Sequence, residues 1–471
     1  MEEIKPKGES LLITNAKIFT DSNVMEGWIL SEHGVITQIS SGPPPVGDWP
    51  VLDAEGLLVL PGGVDTHMHI RDPGHSERET FFSGTQCAAV GGTTTIFEHP
   101  ISVPPQYSPE ILHNRQRVAF DQAVVDYAFL GAAGADHLEC IDPMSKEGIV
   151  AFKTFLDAAQ KGREKEFEGL TMCSDEAVIQ GFEELAKTGM ICFVHAENSK
   201  IIAWCTQKLK EAGRHDPIAH ALARPPISEI ECVSRLIYYA ELTGARIQFA
   251  HISTPEAMEL IRQAKGKGLP VYAETCPHYL FLTEHDLERC GAFAKCNPPL
   301  RSPEMVERLW GYVVDGTVDV IGSDHAPFLL AEKEKGANNI FDAPSGFLGA
   351  ELRYPLLLDA VNQGRLTLER AVELAGKKAA EIYGLVGKGS IQVGNDADFA
   401  IVDMHNCMRV RPEDSPSLSW KINRVYEGRE LSCRIKYTIV RGRLVACNGK
   451  ADAGAKGWGR LQKRQERGVE K

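Results

Sequence analysis

The sequence lacks several features that would place it in a well-marked class of protein. No run of about 18 apolar residues occurs anywhere in the 471 residues, so we expect no membrane span. The opening stretch, MEEIKPKGESLLITNAKIF, has no long apolar segment of the kind found in signal peptides. The twelve cysteines include no CxxC pair and do not form the dense framework of a small secreted domain. These absences predict a cytoplasmic protein with reduced thiols.

The chain also has fewer basic than acidic residues. Lys and Arg total 51 against 64 Asp and Glu, which gives a net charge of −13. A protein whose main partner is nucleic acid normally carries a basic surface, so we expect neither a nucleic-acid partner nor a membrane partner. The composition is otherwise that of an ordinary globular protein, with 43% hydrophobic and 24% charged residues.

The two ends of the chain share one pattern of residues. Short stretches that alternate apolar and polar positions fill residues 1–60 and return in residues 386–450. Each group has too few strands to bury a face alone, so we expect the two to pair in one small β-sandwich domain. Residues 451–471 are rich in charge and are predicted to form a tail that is either solvated or in contact with another subunit.

Residues 61–385 alternate short β-branched apolar runs with amphipathic, helix-like stretches. Eight such runs occur, from GGVDTHMHI to TVDVIGSDHAP. Strands that alternate with helices predict a parallel sheet, and eight units over roughly 270 residues fit an α/β fold of the TIM-barrel, (β/α)8 type. A doubly wound open sheet is the alternative, but no GxGxxG sequence opens the first unit.

Side chains that can bind a metal ion end five of these runs. The carboxyl ends of barrel strands form the active-site face, so residues that are distant in sequence converge there. His67 and His69 are two positions apart and therefore point to the same side of a strand. Imidazole and carboxylate groups bind zinc and similar ions. The predicted metal ligands are His67, His69, Lys153, His195, His251 and Asp324.

Lys153 is an unusual member of this set. At the end of the apolar run IVAFKTFL it would be a buried cation close to metal ions, and both burial and like charge disfavour the ammonium form. Two outcomes stay open on this reasoning. One is a neutral amine, and the other is a carbamate formed with carbon dioxide, whose two oxygen atoms suit the bridging of two cations.

Seven motifs, in this order along the chain, resemble the cyclic-amide branch of the amidohydrolase superfamily: DTHMHIRDPG, FKTFL, VHAEN, AHIST, ETCPHYL, NPPLR and GSDHAP. That branch contains dihydroorotases, allantoinases, hydantoinases and dihydropyrimidinases. The resemblance implies hydrolysis of a ring carbon–nitrogen bond by a homotetramer or homodimer. It also implies two divalent metal ions per subunit, with zinc as the default and manganese, cobalt or iron as alternatives.

The resemblance further implies how the ligands divide their work. The first histidine pair and the aspartate hold the more buried ion, and the other two histidines hold the second. Lys153, carboxylated by CO2 to N6-carboxylysine, bridges both ions. A hydroxide shared by the ions attacks the ring carbonyl of the substrate. Asp324 is the catalytic residue, which first accepts the proton of this hydroxide and then delivers it to the leaving nitrogen.

Four further residues are expected to bind the substrate on the same resemblance. Arg71 matches a residue that helps dihydroorotases to hold a substrate carboxylate, and its alternative is an ion pair with a nearby acid. Asn297 and the backbone of Ser345 and Gly346 match places where the family hydrogen-bonds the cyclic amide.

Departures from the family patterns bear on which cyclic amide is used. Ile101 and Ser102 stand where dihydroorotases and allantoinases carry an asparagine, and Ala158 stands where dihydropyrimidinases carry a tyrosine. The chain looks most like the L-selective hydantoinases. We therefore expect ring opening of a cyclic ureide such as a 5-substituted hydantoin, with allantoinase and dihydroorotase as alternatives.

Two other classes compete with this interpretation. A deaminase on the same barrel would use one metal ion and a glutamate, here Glu197, to protonate a ring, but it would leave Lys153 without a role. A dihydropyrimidinase-like scaffold protein would keep the fold without catalysis. Among the remaining histidines, His75 and His99 are expected on loops above the pocket, and His325 is expected to orient its metal-binding neighbour.

Overall fold

Two large sheets organise the chain in the computed structural model, which describes residues 8–21, 23–157, 159 and 162–465. The strands are β1 Leu11–Thr20, β2 Asn23–Glu32, β3 Val35–Ser40, β4 Val51–Asp53, β5 Leu58–Pro61, β6 Gly63–Met68, β7 Thr93–Glu98, β8 Asp126–Ala132, β9 Ala151–Phe155, β10 Ile191–His195, β11 Arg246–Phe249, β12 Val271–Thr275, β13 Val320–Ile321, β14 Phe399–Asp403, β15 Met408–Arg409, β16 Glu430–Leu431, β17 Arg434–Val440, β18 Arg443–Cys447 and β19 Lys450–Ala451.

The first sheet is a nearly closed barrel of eight parallel strands, β6 to β13, each paired with the next strand in the chain. Met68 at the end of β6 forms a parallel bridge with His325, which lies just beyond β13. Strands such as β7 and β10 are buried along their whole length, as strands with both faces covered must be. The predicted TIM barrel is therefore confirmed.

Helices follow the barrel strands and cover the outside of the barrel. They are α1 Phe81–Val90, α2 Pro109–Gln122, α3 Ile141–Ser145, α4 Asp175–Thr188, α5 Ser199–Glu211, α6 Pro217–Ala223, α7 Pro226–Thr243, α8 Pro255–Gly266, α9 Pro277–Phe281, α10 Glu284–Cys290, α11 Pro303–Val314, α12 Leu330–Glu334, α13 Arg353–Asn362, α14 Leu368–Val372 and α15 Lys378–Tyr383. Within the described ranges, no helix has the length and apolar character that a membrane crossing requires.

The second sheet joins the two ends of the chain, as predicted. Its order is β19-β18-β17-β14-β5-β1-β2-β3, with β4 beside β1, and β14 pairs antiparallel with both β5 and β17. Alternate residues of β14 serve two cores, because successive side chains of a strand point to opposite faces. Phe399 and Ile401 pack in the sheet's own core, whereas Ala400 and Val402 join the core that surrounds the barrel.

Residues 451–465 are the described part of the predicted charged tail, and some of them, such as Ala455 and Trp458, are buried, whereas others, such as Lys456, are exposed. Leu461 forms a parallel bridge with Tyr127 of β8. The Trp458 indole is 7% exposed and donates a hydrogen bond to the Val440 carbonyl at 2.9 Å. The apolar surface of these side chains is what anchors the segment despite its charged composition. Residues 466–471 lie outside the described residues.

Candidate active site

The six predicted ligands converge at the carboxyl end of the barrel, beneath a cavity of about 100 Å³. They are placed there by strands that run in parallel, so that the carboxyl ends of the strands meet at one end of the barrel. His67 lies in β6, Lys153 in β9 and His195 in β10, and His69, His251 and Asp324 lie just beyond β6, β11 and β13.

The ligand atoms form two close groups. Asp324 Oδ1 lies 3.4 Å from His67 Nε2 and 3.3 Å from His69 Nε2. His195 Nδ1 lies 3.1 Å from His251 Nε2. Two imidazole nitrogens that face each other in a buried site are an arrangement that a shared cation stabilises, because neutral imidazole offers a lone pair to a metal ion.

Two buried carboxylates hold the outer nitrogens of these imidazoles. Glu274 Oε1, in β12, lies 2.6 Å from His67 Nδ1, and Glu197 Oε2 lies 2.9 Å from His195 Nε2. Histidines that bind metal ions characteristically donate their second N–H to a carboxylate, which fixes the orientation and tautomer of the ring. Sequence analysis missed Glu274, although a carboxylate near the end of a buried strand was a usable signal.

Glu197 also binds the guanidinium group of Arg224, which lines the cavity. Burial alone would raise the pKa of Glu197, but the charge of Arg224 and the hydrogen bond with His195 bring the pKa below its usual range. This carboxylate is therefore ionised and engaged by two partners. That arrangement weighs against Glu197 as the proton donor of a deaminase, because a donor must carry a proton.

Burial keeps the imidazoles in the form that binds metal. It lowers the pKa of His69 to about 4 and lowers those of His67 and His251 well below the usual range. Asp324 has a lowered pKa: burial opposes its ionisation, but the hydrogen bond and charge of His69 outweigh burial. Neutral imidazoles beside an ionised carboxylate are the protonation states that a cation requires of its ligands.

Several polar atoms at the floor of the cavity lack a partner within the described residues. Lys153 is 0% exposed, and burial lowers the pKa of its ammonium group. A buried polar atom without a hydrogen bond is costly, so the orphaned atoms indicate that this site is built for ions. Those that face the other ligands are His67 Nε2 and Lys153 Nζ, whereas His69 Nδ1 and His251 Nδ1 are the outer nitrogens of their rings.

Arg71 lines the cavity but is engaged by an acid. Its guanidinium donates to Glu166 Oε2 at 3.1 Å and lies 4.8 Å from the centre of the Phe328 ring. Arg163 also binds Glu166, at 2.6 Å. The ion pair that sequence analysis kept as the alternative for Arg71 is thus present, with Glu166 as the acid.

The other three predicted substrate residues also line the cavity. Asn297 Oδ1 and Ser345 Oγ have no hydrogen-bond partner in the part of the chain that the structure describes. Gly346 has φ +131, and a Cβ there would come within 2.6 Å of the Ala326 Cβ. Only glycine fits this conformation and this space, and the backbone at 346 lines the cavity.

Apolar side chains form a further part of the cavity lining, here called the apolar wall. Phe155 packs edge-on against Phe167 with ring centres 5.2 Å apart, and Ile101 and Ala326 also line the cavity. Ser102 does not reach it, because the side chain is 0% exposed and donates to the Pro73 carbonyl. Ala158 lies outside the described residues.

The position expected for His99 is wrong. The ring is 0% exposed and stacks on His67 with ring centres 3.8 Å apart, while Nε2 contacts the Thr66 carbonyl at 2.9 Å. The reason is that His99 directly follows β7 and points into the barrel, as the other strand-end histidines do. By contrast, His75 is partly exposed beside Glu77 and Glu166.

His325 is placed to support its neighbour Asp324. Its carbonyl accepts the His69 N–H at 2.9 Å, and its Nε2 lies 3.3 Å from Glu79 Oε2. The N–H groups of Gly349 and Ala350 point at Nδ1 at 3.4 Å, which leaves Nε2 as the donor to Glu79. His325 therefore ties the end of β13 to β6.

Comparison with known proteins adds to this geometry. The model of the Amidohydrolase family matches residues 58–445. L-hydantoinase of Paenarthrobacter aurescens is 35% identical over 443 residues, which cover 93% of this chain and 95% of that protein. Allantoinase of Rubrobacter xylanophilus is 36% identical over 415 residues, which cover 86% and 88%.

Solved structures agree with these relatives. L-hydantoinase (dihydropyrimidinase) from Arthrobacter aurescens superimposes with a TM-score of 0.91 at 34% identity, over 97% of this chain and 100% of that chain. Dihydropyrimidinase from Brevibacillus agri superimposes with a TM-score of 0.87 at 30% identity, over 97% and 99%.

Proposed function

This chain belongs to the amidohydrolase family, and we propose that it opens the ring of a cyclic ureide by hydrolysis of a carbon–nitrogen bond. The substrate that the cavity fits best is a 5-substituted hydantoin. The observation that carries this proposal is the convergence of six metal-binding side chains under a small cavity with one apolar wall. Names of the relatives support the same reaction class.

The residues at the floor fit two divalent metal ions, for which zinc is the default. His67, His69 and Asp324 would hold one ion, and His195 and His251 would hold the other. We assign Lys153 to the bridge as N6-carboxylysine, because a buried amine of lowered pKa reacts with CO2 and the carbamate satisfies the orphaned nitrogen. When bound, such ions supply an activated water at neutral pH and polarise the carbonyl group under attack.

Asp324 has the position and charge of the proton carrier. Its carboxylate is ionised at the floor of the cavity, so it accepts the proton of the attacking water and then returns it to the ring nitrogen that leaves. One water molecule is consumed, one ring C–N bond breaks, a carboxylate and an N–H group form, and one proton is released to solvent. Asn297, the backbone of Ser345 and the carbonyl of Gly346 would orient the ring amide by hydrogen bonds.

The apolar wall favours a substrate whose substituent is apolar. Phe155, Phe167 and Ile101 would pack against an aromatic or aliphatic group at position 5 of a hydantoin. A carboxylate-bearing ring such as dihydroorotate fits less well, because Arg71 is already hydrogen-bonded to Glu166 and Ile101 offers no hydrogen bond.

Allantoin is the second candidate, and one observation favours it. Asp157 and Arg163 line the cavity beside the apolar wall, and such groups would hydrogen-bond the ureido substituent of allantoin. Several relatives, including that of Rubrobacter xylanophilus, are allantoinases.

A substrate panel tests the proposal and separates the candidates. Zinc-loaded protein would be incubated with both enantiomers of 5-benzylhydantoin, with allantoin, dihydrouracil and dihydroorotate, and the ring-opened products would be measured by chromatography. We expect the highest kcat/KM with one enantiomer of 5-benzylhydantoin. A higher value with allantoin would transfer the assignment to allantoinase, and inactivity on the whole panel would contradict a cyclic ureide.

Self-association is the second part of the proposal. The outer face of α7 exposes large apolar side chains, with Ile227 53%, Tyr238 66% and Leu242 71% exposed. These side chains share one face of the helix, here called the stripe, on which Glu231 and Arg235 lie between Ile227 and Tyr238. Exposed apolar side chains grouped on a folded protein mark a contact surface. We assign the stripe to a second copy of the chain, in a homodimer or homotetramer. We assign the protein to the cytoplasm, because all twelve cysteines are unpaired.

Sedimentation velocity tests the assembly. Tyr238→Glu is expected to lower the sedimenting mass, because a buried carboxylate in an apolar interface is costly. Val393→Glu, which adds the same charge at an exposed apolar side chain outside α7, is the matched control and should leave the mass unchanged. Identical masses for wild type and Tyr238→Glu would contradict an α7 interface.

A further inference from the structure

Two buried lysines that the reaction does not use lie beneath the loops that face the substrate. We propose that Lys295 and Lys333 form a clasp that holds two loops in register, the one that carries Asn297 and the one that carries Ser345 and Gly346. Both are positioning residues for substrate binding. The inference rests on the proposed function, because that function makes these loops the contacts of the cyclic amide.

Lys333 connects the two loops from below. It belongs to α12, is 0% exposed, and its ammonium group faces three backbone carbonyls. The carbonyl of Ala292 lies at 2.9 Å and that of Lys295 at 3.5 Å, both in the segment that leads to Asn297. The carbonyl of Pro344, directly before Ser345, lies at 3.1 Å. Because an ammonium group has three hydrogen-bond donors, one for each of these carbonyls, one side chain joins both loops.

Lys295 connects the same loops in the opposite direction. Its Nζ donates to the carbonyls of Ile340 at 2.8 Å and Ala343 at 2.5 Å, in the segment that leads to Ser345. Its own carbonyl accepts the N–H of Gly346 at 2.8 Å. The two loops are thus tied by both side-chain and backbone hydrogen bonds, and the ties end on residues next to those that line the cavity.

The clasp relies on carbonyl groups instead of acids. Within the described ranges neither ammonium forms an ion pair, and burial lowers the pKa of each to about 7. At Lys295 the charges of Arg224 and Lys210 lower the pKa further, whereas that of Asp342 opposes the lowering. At Lys333 the charge of Lys295 lowers the pKa further, whereas that of Glu332 opposes the lowering. Burying two cations is costly, and apolar side chains would fill the same space at lower cost. What the ammonium groups add is fixed, directional bonds to named carbonyls.

Lys333→Met tests the clasp, because methionine keeps the length and apolar stem but has no donor. We expect KM for the substrate that the panel identifies to rise about tenfold or more, because the loops no longer hold the ring amide in place. We expect kcat to change less than about threefold and metal content to be unchanged, since the floor of the cavity is intact. Lys333→Arg should recover part of the lost affinity, because guanidinium restores the donors.

Hydrogen exchange gives a readout that needs no substrate. In Lys333→Met the peptide that covers residues 340–346 should exchange faster, while peptides from β6 and β10 keep wild-type rates. Lys335→Met is the matched control, since Lys335 is exposed two positions further on. Faster exchange would support the clasp even if the panel disproved the substrate class.

Two results would overturn the proposal. The first is unchanged KM and unchanged exchange in residues 340–346 for Lys333→Met. The second is loss of metal, or faster exchange throughout the barrel, in both Lys333→Met and Lys295→Met. That outcome would mean that the lysines support the whole fold and do not position the two loops.

Discussion

The floor and the rim of the cavity are built in different ways. Floor residues such as His67 and His195 stand in barrel strands, and their imidazoles are oriented by buried carboxylates. Rim residues such as Asn297 and Ser345 stand on loops whose positions depend on other loops. This difference indicates a division of roles: the floor determines the reaction, and the rim determines which ring is bound. Changes at the floor should therefore act on kcat and metal content, and changes at the rim on KM.

Lys153→Ala should have the largest effect, because it removes the group assigned to join both halves of the floor. We expect loss of both metal ions and a fall in kcat of at least about a thousandfold, with partial recovery when short carboxylic acids such as propionate are added. Metal analysis measures the loss of the ions, and steady-state kinetics measures the fall in kcat and its recovery.

The matched control is Lys146→Ala, at an exposed lysine that pairs with Asp142. It should behave as wild type. Full activity in Lys153→Ala would contradict the bridging role and with it the joined floor.

Glu274→Gln should have the next largest effect. The glutamine keeps the size of the side chain, but the His67 ring loses its carboxyl acceptor, so metal affinity should fall about 10- to 100-fold. Competition with a chelator measures this affinity. Glu288→Gln, at an exposed site on α10, serves as the control. Equal affinity in wild type and Glu274→Gln would show that orientation by this carboxylate is unimportant.

Phe167→Ala should affect the rim alone. Removing the ring should raise KM for 5-benzylhydantoin about tenfold, because apolar contact with the substituent is lost, while kcat stays within about threefold of wild type. KM for allantoin provides the internal control and should change little. A fall in kcat without a change in KM would place Phe167 with the floor.

The smallest effect should come from mild acidification. Burial brings the pKa of His69 in the metal-free protein to about 4, below the ordinary value of 6.5. Between these two values the unfolded chain binds more protons, so the free energy of unfolding should fall as the pH is lowered from 6.5 to 4. Above 6.5 this group should contribute no pH dependence. Chemical denaturation of metal-free wild type and His69→Gln measures it, and identical slopes below pH 6.5 would contradict a neutral buried His69.

The same division explains what could be predicted from the sequence. Barrel strands are recognisable in the sequence as short apolar runs, and their ends carry the predicted metal ligands. The residues of the floor, such as His67 and His251, could therefore be predicted. Glu274 was not predicted because its partner, His67, is 207 positions away in the sequence, and the two meet only in the folded structure. His99 was misplaced because a histidine after a strand can point inward or outward. The rim depends on contacts such as Lys333 to Pro344, which no local pattern encodes.

Metal content per chain tests the central claim most directly. Wild-type protein prepared with zinc and bicarbonate, freed of loosely bound ions and measured by inductively coupled plasma mass spectrometry, should contain two zinc ions per chain. One tightly bound ion would contradict the joined two-ion floor and favour a deaminase-like site. No bound ion would contradict metal-dependent hydrolysis and favour a scaffold protein that has kept the fold.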